Sequence, residues 1–315
     1  MKNKALVYRS FGMPEDALSL ETRVVDDLSC GYMRVHMELS PINPSDLIPI
    51  TGAYRHRVTP PLVAGYEGLG IVTSVDHSTG FIPGQRVLPL RREGTWQQFV
   101  ACDPKWTIAV PDDIDDSTAA RAYINPLAAM LMLKRWDPSG RRVLVTAAGS
   151  SCANLLAQWA FAGGAREVSG IYRSSEHRAF LEQIGVRPLA MADAYEVARQ
   201  IVAVDLVFDA VGGALASTIL NGMRKNATFV SYGLLSGDAF TTPLDGPVPK
   251  RFHIRDQFSN LTSTVWRGWF DEIWQRLRQT PLPDVQRFPL EKWREALALY
   301  RQPGRNVKPI LCFAN

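Results

Sequence analysis

The sequence predicts an α/β protein: a β-rich first third followed by a doubly wound parallel sheet. Three observations carry that prediction. Short β-branched runs separated by Pro- and Gly-rich loops fill the first third. Beyond the VPDD segment at residues 110–113, strand-like and helix-like stretches alternate. After residue 249 the alternation gives way to two helices and a closing strand.

The elements follow in order. Strands are expected at residues 5–8, 34–39, 70–75 and 85–89, with turn-rich connections such as SPINPSD between them. The DDST run at residues 115–118 can cap a helix through residues 119–123. Strands are then expected at residues 142–147, 167–172, 205–210 and 228–232. Helices should start near Cys152, Ser175, Asp193 and Gly213. That pitch implies a parallel sheet with helices on both faces. Helices at 269–278 and 290–300 and a strand at 307–313 complete the chain. No internal repeat interrupts it.

Bulk properties narrow the function. A length of 315 residues suffices for two domains with sizeable cores. Composition is 46% hydrophobic and 21% charged, ordinary for a soluble globular protein. Lysine plus arginine number 35 against 31 acidic residues, a net charge of +4. The charges are scattered, so a nucleic-acid partner is not expected. No apolar run approaches ~20 residues, so no membrane span is expected. The start, MKNKALVYRSFG, resembles neither a signal nor a transit peptide. Cys30, Cys102, Cys152 and Cys312 lie far apart without a C-x-x-C pair, which fits free thiols in a cytoplasmic protein.

The stretch RRVLVTAAGSSCANLLAQWA, residues 141–160, has the layout of a dinucleotide-binding strand–turn–helix. The three positions of the G-x-G-x-x-G pattern read Ala148, Ser150 and Ala153. In that pattern the glycines allow a tight turn, close approach of backbone to pyrophosphate, and helix–strand packing. Alanine and serine are the smallest replacements. Ala148 and Ala153 add one methyl each, tolerable unless positive φ is required. Ser150 and Ser151 bring hydroxyls beside the helix N-terminus. Ala148, Gly149, Ser150, Ser151, Cys152 and Ala153 are therefore candidate cofactor residues; a plain βα corner is the alternative.

The next strand ends in Tyr172, Arg173 and Ser174, with His177 and Arg178 a helical turn later. An NAD site would place Asp or Glu there. Positive charge and hydroxyls suit a 2′-phosphate and favour NADPH, although Glu176 is a counter-signal. A solvated helix start is the other reading. Val211-Gly212-Gly213 and Tyr232-Gly233-Leu234 end two later strands, either flanking a nicotinamide or serving as routine strand-to-helix glycines.

Together with INPSD (42–46), TGAY (51–54), PPLVAGYEGLGIV (60–72), GQRVLP (84–89), GTWQQFV (94–100), INPLAAM (124–130), FDAVGG (208–213) and VSYG (230–233), this turn gives the chain a resemblance. It resembles zinc-less members of the medium-chain dehydrogenase/reductase superfamily, specifically enoyl thioester (trans-2-enoyl) reductases and NADPH:quinone oxidoreductases. The resemblance implies a GroES-like catalytic domain at residues 1–118, completed by 252–315, and a Rossmann nucleotide-binding domain at 119–251. It also implies NADPH as cofactor and a homodimer. Where zinc-dependent relatives place metal ligands, this chain has Asn43, Tyr66 and Pro126, so no metal is expected. Glu67 keeps an acidic position and is expected to tie loops together.

Hydride chemistry without zinc needs an acceptor polarised by conjugation, such as an α,β-unsaturated thioester, ketone or quinone. The resemblance makes Tyr54 a candidate proton donor, with a substrate or cofactor contact, or no role, as alternatives. Asn43 is a candidate contact to the nicotinamide ribose or substrate carbonyl, or an Asn-Pro turn. The tail FHIRDQFSNLTSTVWRGW departs from enoyl thioester reductases. Arg255, Asp256 and Gln257 would make the substrate side more polar and favour a smaller substrate, and Trp266 and Trp269 either line it or pack a helix. The expected activity is NADPH-dependent reduction of an activated C=C bond. Quinone reduction, or a non-catalytic NADPH-binding sensor, are the alternatives.

Overall fold

The computed structural model describes the chain except for residues 26, 76–78, 92–93 and 314–315. It divides into two compact units. The first comprises Met1–Ile124, Thr262–Arg278 and Pro283–Asn315, the second Asn125–Leu261 and Gln279–Leu282.

In the first unit the Met33–Pro41 strand is central. It pairs antiparallel with Leu69–Val75, Phe99–Cys102 and Lys308–Cys312. Side chains two apart share a face, so Met33, Val35 and Met37 enter one core with Val72, Trp96, Val100 and Leu311. The closing strand adds Val285–Pro289 in parallel. A smaller sheet runs Leu18–Val24, Lys2–Tyr8, Leu62–Val63. Asp115 caps the short Asp116–Ala119 helix by accepting from the Thr118 N–H. The chain beyond it stays with this unit, because Arg121 donates to the Pro283 carbonyl at 2.7 Å and the Tyr123 and Ile124 amides reach Glu67.

The helix expected at 269–278 is longer, Ser263–Leu277, and is capped by Thr262. Gly268 breaks its apolar period and costs about 1 kcal/mol relative to alanine. Burial of Trp266, Phe270, Ile273 and Trp274 outweighs that cost. Trp266 is wholly buried, donates to the Trp106 carbonyl and packs on Tyr123 and Phe270, which makes it a core residue.

The second unit holds a six-stranded sheet, parallel throughout. Its spatial order is Arg187–Ala190, Glu167–Tyr172, Arg142–Val145, Leu206–Asp209, Thr228–Ser231, Lys250–Arg251. The direction of strand progression reverses beside Arg142–Val145. Such a switch point opens a crevice at the carboxyl ends of the strands. The Ser151–Ala162 helix begins there, with Leu155, Leu156 and Trp159 buried. Each of the two leucines stabilises by roughly 1.5–3 kcal/mol through burial.

Candidate active site and cofactor turn

The turn after Arg142–Val145 is tight. The Ser150 N–H donates to the Ala147 carbonyl at 2.8 Å, and the Ala148 N–H to the Ile171 carbonyl at 2.9 Å. Ser150 Oγ accepts from the Ala153 N–H and caps the helix, a contribution of about 1 kcal/mol. The left-handed residue is Ala147, φ 50°, rather than Ala148. Ala148 is fully buried, and its methyl fits because the facing residue is glycine: a Cβ on Gly170 would stand 2.8 Å from the Ala148 Cβ. Ala153, in the first turn of the helix, is equally buried. The Ser151 and Cys152 N–H groups take no partner among the described residues, and the helix runs for 12 residues behind them. Such an end attracts anions.

At the end of Glu167–Tyr172, Tyr172 is buried and Ser174 half-buried, and the Ser174 carbonyl accepts from the His177 N–H. Arg173 is exposed and makes no hydrogen bond or ion pair among the described residues. Arg178, by contrast, pairs with Glu182 at 2.9 Å.

The later strand ends are joined by Asp209, which the sequence reading did not single out. Its carboxylate accepts from Thr146 Oγ1 at 2.7 Å and from the Val211 and Gly212 N–H groups at 3.2 and 2.9 Å. Burial pushes its pKa up. Gly212 has φ +73° and Gly213 φ +56°, conformations that glycine supplies without strain. The Leu235 N–H donates to the Ala210 carbonyl and the Ser236 N–H to that of Val211. A Cβ on Gly233 would stand 2.8 Å from the Ala210 carbonyl oxygen. Val211, Gly212, Tyr232, Gly233 and Leu234 are thus brought together, with Leu234 half exposed. The Tyr232 hydroxyl is buried against Ser150 and Cys152 with no partner in good hydrogen-bond geometry, and burial holds it well above the usual phenol range. Burial also pushes the Cys152 thiol up to about 12. An unpaired buried hydroxyl, two unpartnered amides and a side-chain-free strand end fit a dinucleotide phosphate and ribose.

The first unit carries a buried polar cluster. Asn43 is fully buried; its amide donates to Glu67 at 2.5 Å and its carbonyl accepts from Lys308 at 2.7 Å. Asp46 accepts from the Asn43 and Tyr66 N–H groups. Glu67 also accepts from the Tyr123 and Ile124 amides, so it ties three segments together. Burial, then the Glu67 charge, raises Asp46 to about 7. Burial lowers Lys308 to about 8 and raises Glu67. Tyr54 is half-buried on the turn after Gly52, its ring edge-on to His56 and beneath the Arg57 guanidinium at 6.0 Å. Among the described residues no three His, Cys, Asp or Glu side chains converge as metal ligands.

Two family models match the chain. One, described as the alcohol dehydrogenase GroES-like domain, covers residues 30–112, and one described as a zinc-binding dehydrogenase covers 153–275. A Bacillus thuringiensis protein provisionally called an NADPH:quinone reductase is 31% identical, with 99% of both chains covered and a TM-score of 0.90. The chain belongs to the medium-chain dehydrogenase/reductase superfamily. Its two units are the GroES-like and Rossmann domains of that superfamily. The mitochondrial enoyl-[acyl-carrier-protein] reductase of Arabidopsis thaliana is 31% identical over 252 residues, 76% of this chain and 67% of the relative. The complex of Etr1p with NADP and crotonyl-CoA, 19% identical, shares the fold with a TM-score of 0.85 over 99% of this chain and 100% of that one. Membership in the medium-chain dehydrogenase/reductase superfamily makes this chain an oxidoreductase, on a fold that holds NADP(H).

Proposed function

We propose that this chain is an NADPH-dependent, zinc-independent reductase of an activated C=C bond in a small α,β-unsaturated carbonyl or thioester. The observation that carries the reading is the rebuilt turn. Its two unpartnered amides, the Tyr232 hydroxyl and the unpaired Arg173 guanidinium are donors suited to a phosphorylated dinucleotide. NADPH, when bound, supplies a hydride to the β carbon of the acceptor.

The remaining chemistry falls to the chain. The Ser151 and Cys152 amides hold the pyrophosphate, and Arg173 with Ser174 holds the 2′-phosphate. Gly212 and Gly233 leave room for the nicotinamide half. Tyr54 donates the proton, its hydroxyl acting as the general acid. Asn43, with both ends of its amide engaged by Glu67 and Lys308, acts by positioning the Pro41–Asp46 segment. Asn43, Tyr66 and Pro126, where zinc-dependent relatives carry ligands, support zinc independence.

Likeness to the Bacillus thuringiensis protein favours a second reading, quinone reduction. Spectrophotometry at 340 nm with a panel of enals, enoyl thioesters and quinones distinguishes the two, and calorimetry with NADPH tests the site itself. NADPH binding without turnover of any acceptor would point to a sensor instead. The proposal includes a cytoplasmic homodimer, which light scattering on the purified protein tests for assembly.

A further inference from the structure

Gly149 poses a question that the turn alone does not answer. Its φ lies outside the left-handed region, so the backbone there would accept any residue. What forbids a side chain is His177. A Cβ on Gly149 would come within 2.6 Å of the imidazole Cγ, and closer still to Cδ2 and Nε2. The ring therefore rests on the phosphate turn. The main chain that carries the ring is fixed locally, because the His177 N–H donates to the Ser174 carbonyl at 3.2 Å and closes a helical turn just after Arg173.

We propose that His177 is a specificity-determining residue for the 2′-phosphate of NADPH, completing with Arg173 and Ser174 a pocket whose floor is Gly149. This rests on the NADPH reading above. The short segment from Arg173 to His177 offers a guanidinium, a hydroxyl and an imidazole beside a turn that offers amides. A 2′-phosphate carries more negative oxygens than one arginine satisfies. An imidazole N–H supplies a further donor, whether the ring is neutral or protonated. Gly149 is the condition for the arrangement, since any side chain there would expel the ring.

The test is binding by calorimetry to the full chain, with NADPH, NADH and adenosine 2′,5′-bisphosphate as probes. His177→Ala should weaken NADPH and the bisphosphate about tenfold and leave NADH nearly unchanged. Gly149→Ala should reproduce that loss, and should add little in a His177→Ala background. Equal losses for NADPH and NADH would make His177 a prop for the turn and overturn the inference. Tighter binding by His177→Ala would make the ring an obstacle and overturn it as well. Wild-type protein that binds NADPH no better than the His177→Ala variant sinks this inference alone. Wild-type protein that binds none of the three probes sinks the proposed function too.

Discussion

The Lys308 ammonium donates to the Asn43 carboxamide at 2.7 Å across 265 residues of chain, and both groups are buried. This bond joins the closing strand to the loop before Tyr54. It also places the cation near two buried carboxyls, Glu67 and Asp46. Lys308→Met should remove one donor from the Asn43 carbonyl and a buried cation from beside those carboxyls. The expected loss is about 3–5 kcal/mol, read from urea unfolding at neutral pH. A loss within the range of surface substitutions would show that the cluster is neutral without its lysine.

Tyr54→Phe removes one hydroxyl from a half-buried turn position. Turnover of an enoyl acceptor should fall by about 10²–10⁴-fold, the usual contribution of a positioned acid. NADPH affinity should stay nearly constant. Unchanged turnover would take the acid role from Tyr54.

Arg173, at the end of Glu167–Tyr172, has no ion-pair partner among the described residues. Arg173→Ala should weaken NADPH about tenfold and NADH little, since a charge-assisted bond to phosphate is lost at an exposed site. Arg178→Ala should do less, because that guanidinium is engaged by Glu182. Equal losses for the two nucleotides would contradict a 2′-phosphate role.

Gly170 makes room for Ala148. Gly170→Ala should destabilise by about 1–3 kcal/mol through overpacking. Adding Ala148→Gly should restore much of it, as removing the Ala148 methyl reopens the space. Thermal unfolding of the two variants and their combination measures the coupling.

Cys152 is partly exposed, yet burial of its sulfur pushes the thiol to about 12. At pH 8 only roughly one molecule in ten thousand carries the thiolate, the reactive form. Iodoacetamide should modify exposed Cys30 and spare Cys152 in peptide maps of the folded protein. Comparable labelling of the two would mean that the sulfur is far better solvated.

Much of the fold is legible because runs with β-branched and aromatic residues mark the inner strands. The expected strands at 167–172 and 228–232 are present as Glu167–Tyr172 and Thr228–Ser231. Arg187–Ala190 and Lys250–Arg251 were not, since four- and two-residue edge strands rich in Arg, Lys and Pro carry no alternation. The helix that begins at Ser263 has a later start in the sequence pattern because Gly268 reads as a breaker, and only tertiary burial of Trp266 and Phe270 explains its start. At the site, small residues at strand ends were readable as a class. Asp209 was not, because a buried carboxylate that organises two loops looks in sequence like any strand-end aspartate. Lys308 was hidden for a similar reason: its partner lies at the far end of the chain. The placement of His177 over Gly149 likewise has no signature along the sequence.

The contact of Ala148 with Gly170 bears on how such proteins are found. The empty volume that a fingerprint reserves inside one loop is shared here between the turn and the neighbouring strand. A scan along the chain will pass over this turn. A search that sums side-chain size over residues in contact between the turn and the neighbouring strand would recover it.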